Sequence, residues 1–187
     1  MDNSLADYES GLIEKLNLIR SQGDPCVTRE NIWKLNDPWI KERIRMIKSL
    51  PGWWMNLHPI KNGFKILNLA RDLGFDIHVL TKGPKEFPRA WDEKVQWCQT
   101  HLGAKIDIHL TCNKSLVYGK ILYDDYPEYL LKWLECRPRG LGIMPVNSYN
   151  VNFNHPNVIK WDGTNLEEIT QAMKFCLNRK KYENLRL

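Results

Sequence analysis

No apolar run in this 187-residue chain approaches the length of a bilayer-spanning helix. The mean hydropathy is −0.49, so no membrane partner is expected. Cysteine is sparse: Cys26, Cys98, Cys112, Cys136 and Cys176 are odd in number and show no C-x-x-C spacing. That pattern disfavours a disulfide framework or a zinc site and predicts reduced, buried thiols. Histidine is also scarce, and no two histidines stand at metal-ligand spacing along the chain. His78 and His109 fall within apolar strand-like runs and are expected to be core residues. Met1-Asp2-Asn3-Ser4 has neither a basic nor an apolar leader region, so no secretory or transit signal is expected and the cytoplasm is the expected compartment. Charge of one sign is not concentrated. Lys plus Arg number 27 against 22 for Asp plus Glu, a net +5 spread along the chain, so a nucleic-acid polymer is not an expected partner. The densest basic group, Arg179-Lys180-Lys181, ends the last expected helix, where cations complement the helix dipole.

What is present suits one α/β domain, or one domain with a small inserted subdomain. Apolar runs alternate with amphipathic segments, the pattern of βαβ units and a parallel sheet. Helices are expected at Gly63–Asp72, from Pro88 to Gly103 with Trp91, Val95, Cys98 and Leu102 inward, at Pro127–Glu135, and after Thr164 or Asn165. Strands are expected at Phe75–Leu80, Lys105–Thr111, Lys120–Tyr123, Gly142–Val146 and Val158–Trp161. Residues from about Ser10 to Ser49 show two helical segments and no strand signal, which reads as a helical insertion. Four of the eight tryptophans, Trp33, Trp39, Trp53 and Trp54, fall in one early stretch. They suit either stacking on a planar ligand or filling a thin helical core.

In open parallel sheets, ligands bind beyond the carboxyl ends of the strands. Three such positions carry chemistry of one kind: the Thr81 hydroxyl, the Lys114 ammonium, and the Asp124-Asp125 carboxylate pair, suited to a hard divalent cation. Together they suit a phosphoryl group. Taken singly, Thr81 could cap a turn, Lys114 could be a solvated lysine, and the two aspartates could cap the next helix.

These residues resemble the second, third and fourth motifs of the haloacid-dehalogenase-like phosphatases. The segment Met1-Asp2-Asn3-Ser4-Leu5-Ala6-Asp7-Tyr8-Glu9 resembles the end of the first motif in their 5'(3')-deoxyribonucleotidase branch, and Trp53-Trp54-Met55-Asn56-Leu57-His58-Pro59 resembles that branch's aromatic-rich segment. The resemblance implies a Rossmann-like, three-layer parallel-sheet core from residues 1–9 and about 50–187, with a helical cap inserted at about 10–49. It implies magnesium-dependent hydrolysis of (deoxy)ribonucleoside monophosphates through an aspartyl-phosphate. Asp2 matches the general acid and base, with its carbonyl a magnesium ligand. Thr81 and Lys114 match the groups that hold phosphoryl oxygens, and Asp125, beside Asp124, matches the metal carboxylate. Tyr8 and Trp33 match aromatics of the nucleoside pocket, and Lys82, where the family usually has Ser, is a further candidate phosphate contact.

Several positions depart from the pattern. Asn3 and Ser4 replace Gly and Val, both compatible with a turn, and Tyr126 replaces an Arg. Asp7 is expected one helical turn into the cap connection, too far along to replace a nucleophile. The nucleophilic aspartate itself matches the position just before Met1, with an apolar strand of about five to ten residues expected ahead of it. Two alternatives stand beside the nucleotidase: an inactive protein that binds phosphate or nucleotide, and a phosphatase of another small phosphomonoester. The small-molecule substrate leaves room for a homodimer.

Overall fold

A computed structural model describes residues 1–179, so Lys180 and Lys181 of the basic cluster lie outside the described residues. Six helices and five strands follow in the order α1 (Tyr8–Leu18), α2 (Pro38–Ser49), α3 (Lys61–Asp72), β1 (His78–Thr81), α4 (Arg89–Leu102), β2 (Asp107–Leu110), β3 (Ile121–Tyr123), α5 (Pro127–Glu135), β4 (Leu141–Pro145), β5 (Val158–Trp161) and α6 (Leu166–Asn178). The described residues fall into two units, residues 1–64 with 77–112 and residues 65–76 with 113–179. The architecture is α/β with parallel pairing throughout its named strands.

The first unit opens on a compact turn. The Met1 carbonyl accepts from the amides of Ser4, Leu5 and Ala6 at 3.2, 2.7 and 3.0 Å. Asn3 takes the left-handed backbone (φ 51°), a conformation that asparagine tolerates. Asp7 then caps α1 rather than lying inside a helical turn, its Oδ1 accepting from the Ser10 amide at 3.1 Å. Leu12 and Leu16 of α1, one turn apart, are buried, and α1 packs on α2, which Pro38 opens and whose Ile40 and Ile47 are buried. β1 and β2 pair in parallel, with Thr81 opposite Leu110.

Helix α4 buries Cys98 and Leu102 as expected and half-buries Val95, but its inward face is wider than expected and leaves Trp91 out. Ala90, Glu93, Lys94, Trp97 and Cys98 are buried, whereas Trp91 is exposed. Trp91 donates from Nε1 to the Pro84 carbonyl at 2.9 Å and lies so close to Gly83 that a Cβ there would stand 2.3 Å from the indole.

In the second unit β3, β4 and β5 form a parallel ladder, with Tyr123 opposite Ile143 and Ile143 opposite Ile159. Leu122, Leu130, Trp133, Ile143, Met144, Trp161, Ile169 and Met173 build its core. Gly142 allows β4 and β5 to approach, since a Cβ would sit 2.8 Å from a Val158 methyl.

Two expectations about burial are corrected. His78 begins β1 instead of lying inside it and is exposed, while His109 is half-buried. Only Cys98 and Cys176 are buried thiols. Cys26, Cys112 and Cys136 sit in connections and at a helix end, where no apolar layer covers them, and are exposed.

Candidate active site

Each unit carries one cluster of site residues. In the first, the inward face of α4 delivers Lys94, 1% exposed, to the N-terminal turn. Its Nζ donates to Asp2 Oδ2 at 2.6 Å and to the Lys82 carbonyl at 2.9 Å, and lies 4.4 Å from the Trp54 ring centroid. A buried ammonium needs such partners, and the carboxylate, the carbonyl and the aromatic face supply them. Thr81, the last residue of β1, is buried, and Lys82 after it is an exposed residue whose carbonyl, rather than its charge, joins this cluster.

Tyr8 packs edge-on to Trp53 (centroids 5.4 Å) and tilted against Trp54 (5.6 Å). Burial, reinforced by the charge of Asp2, holds its phenol far above the usual tyrosine range. Burial also lowers the ammonium of Lys48, which lies 5.6 Å from the Tyr8 ring centroid. Beside Lys94, buried Glu93 accepts from the amides of Gly52 and Trp54 at 2.7 and 3.0 Å and so fixes the aromatic segment. Trp33 is half-exposed, with its indole N–H donating to the buried carboxylate of Glu9 at 2.6 Å. Arg29 also reaches Glu9, at 3.4 Å.

The second cluster forms where β3 and β4 end. Asp124 and Asp125 follow β3 and are both buried. Lys114, 6% exposed, donates to Asp124 Oδ2, and its Nζ lies 4.5 Å from the Tyr129 ring centroid. Asp124 Oδ1 accepts from the Tyr126 amide at 3.1 Å. Asp125 is gripped from the loop after β4: the Tyr149 hydroxyl donates to its carboxylate, and Asn150 Nδ2 donates to its carbonyl and to that of Pro145, both at 2.9 Å. Burial first, and the neighbouring charge of Asp124 second, push the Asp125 carboxyl up to about 6, against the lowering effect of the Tyr149 hydrogen bond. The same burial and the two carboxylates raise the phenol of Tyr123.

Lys114 pairs with Asp124, while the buried Asp125 carboxylate is held by the Tyr149 hydroxyl. These hard oxygen donors fit a magnesium ion, which is commonly held by one or two carboxylates and several waters. Among the described residues no three His, Cys, Asp or Glu side chains are gathered tightly enough to cage a metal by themselves.

The expected residues Asp2, Tyr8 and the Lys82 backbone are brought around Lys94, and Lys114, Asp124 and Asp125 are brought together. Trp33 stands apart on Glu9. Lys94, Tyr149 and Asn150 had not been anticipated. A lysine four residues after Ala90 and three before Trp97, on an apolar helical face, was the one available signal.

A family model described as "5' nucleotidase, deoxy (Pyrimidine), cytosolic type C protein" matches residues 1–174. A Bordetella pertussis protein named "Putative 5'(3')-deoxyribonucleotidase" is 27% identical over 132 residues, covering 67% of this chain and 71% of that protein. A protein of the same name from Vibrio phage KVP40 is 28% identical over 130 residues, covering 67% of this chain and 62% of its own length. With the family match spanning both clusters, the chain belongs to the deoxy (pyrimidine), cytosolic type C family of 5'-nucleotidases, enzymes of the haloacid-dehalogenase-like phosphatase fold.

Proposed function

We propose that the chain removes phosphate from (deoxy)ribonucleoside monophosphates with magnesium, through an aspartyl-phosphate. The observation that carries this reading is the buried Lys114–Asp124 pair beside Asp125, whose carboxyl is pushed up to about 6 by burial and by Asp124. A carboxylate so placed gains from a cation that offsets both costs. Asp125, with Asp124 beside it, would hold magnesium, which supplies Lewis acidity and neutralises phosphoryl charge when bound.

The family resemblance implies an aspartate nucleophile. Its carboxylate takes the phosphoryl group from the ester oxygen while Asp2 gives that oxygen a proton. Asp2 then takes a proton from the water that releases inorganic phosphate. Lys94 holds the Asp2 carboxylate in place. Lys114 and the Thr81 hydroxyl are assigned to the phosphoryl oxygens.

Binding tests this reading separately from turnover. Calorimetric titration with a nucleoside monophosphate in magnesium should show binding that Lys114→Met abolishes without loss of fold. Unchanged affinity in that variant would return Lys114 to a purely structural role.

A further inference from the structure

The ladder of β1 and β2 places His78 opposite Asp107 and Leu80 opposite His109. Because side chains alternate along a strand, His78, Asp107 and His109 project from one face of it. His78 Nδ1 stands 3.0 Å from His109 Nε2 and 3.9 Å from Asp107 Oδ2, with the ring centroids 5.2 Å apart. His78 and Asp107 are exposed and His109 is half-buried, so the group is open to solvent. Thr81 ends the strand that His78 begins, about 10 Å further along at the usual rise per residue.

We propose that His78 and His109 form a two-imidazole clamp for a borderline divalent cation such as Ni2+, Cu2+ or Zn2+, with water completing the coordination and Asp107 lending negative charge. Imidazole nitrogens suit these ions and not magnesium, so the clamp is chemically distinct from the oxygen donors around Asp125. Two nitrogens bound to one tetrahedral zinc at 2.0–2.1 Å stand about 3.3 Å apart, so the rings need to open by only a few tenths of an ångström. Neutral imidazoles at this distance share one proton between the facing nitrogens. On metal binding that proton shifts to the other nitrogen of its own ring, leaving both facing nitrogens with a free lone pair and releasing no net proton. The ion then ties β1 to β2 at the opposite end of β1 from Thr81.

The test is calorimetric titration of the whole chain with Ni2+ in saturating Mg2+. One Ni2+ should bind per chain, with affinity reduced at least ten-fold by His78→Gln or His109→Ala, a few-fold by Asp107→Asn, and unchanged by His155→Ala. Ring 15N signals of His78 Nδ1 and His109 Nε2 should shift on binding, and Ni2+ should raise Tm in the parent chain but not in His78→Gln. Failure of the parent chain to bind Ni2+ would overturn the proposal, leaving an ordinary imidazole–imidazole hydrogen bond. Ni2+ affinity that survives both histidine substitutions would overturn it too, by placing the ion elsewhere.

Discussion

Each cluster centres on a buried lysine matched to one aspartate, Lys94 with Asp2 and Lys114 with Asp124. Burying an ammonium is costly unless its hydrogen bonds are made, so removing a partner matters more than the net value of the pair. Lys94→Met keeps the volume but takes the ammonium from Asp2 and the donor from the Lys82 carbonyl. Asp2 is 31% exposed, so solvent softens the loss, and we expect a destabilisation of about 1–3 kcal/mol in urea denaturation. An unchanged midpoint would remove this pair from the account. Tyr149→Phe tests the grip on Asp125 from the other side. It deletes the hydroxyl that orients the carboxylate, and outer partners of metal ligands typically contribute about 10–100-fold in metal affinity. Magnesium affinity, followed by Mn2+ competition, should therefore fall by about ten-fold or more while the fold persists.

Helix α3 meets the N-terminal turn at Gly63, where a Cβ would stand 2.0 Å from the Ser4 carbonyl oxygen. Backbone cannot give way as a side-chain tip can, so Gly63→Ala should cost about 2 kcal/mol or more in thermal or chemical denaturation. Tolerance of alanine there would show that the turn is not seated on the helix. The cysteines report on α4 and α6. Burial raises the Cys98 thiol to about 11 and also raises that of Cys176, so both should resist iodoacetamide in the native chain. Cys26, Cys112 and Cys136 are exposed and should be alkylated, and mass spectrometry of the native protein should find those three sites and no others.

Element boundaries were most legible where local chemistry acts alone. Pro127 opens α5 and the short apolar run Val158–Trp161 forms β5, both as expected. On α4, Cys98 and Leu102 are inward as expected, but the exposure of Trp91 was not legible, because its contact with Gly83 leaves no mark in the periodicity.

Across the whole chain, what was readable in advance was the placement of residues at strand ends: Thr81 closes β1 and Asp124 and Asp125 follow β3, with Lys114 in the connection between β2 and β3. Their partners were not readable, because Lys94 meets Asp2 across 92 positions and Tyr149 meets Asp125 across 24. Spacing along the sequence carries no trace of such pairs; only the packing of α4 and the course of the loop after β4 create them. The two imidazoles of β1 and β2 escaped notice for the same reason, being 31 positions apart and joined only by strand register. The family match shows a 5'-nucleotidase, and the central claim of the proposed function is that it works with magnesium through Asp2, Lys114 and Asp125. The most direct measurement is release of inorganic phosphate by the protein from a panel of 5'- and 3'-nucleoside monophosphates and a sugar phosphate. The account predicts magnesium-dependent release from nucleotides, abolished by chelator and by Asp125→Asn. Release that is indifferent to chelator and to Asp125→Asn, or confined to the sugar phosphate, would contradict it.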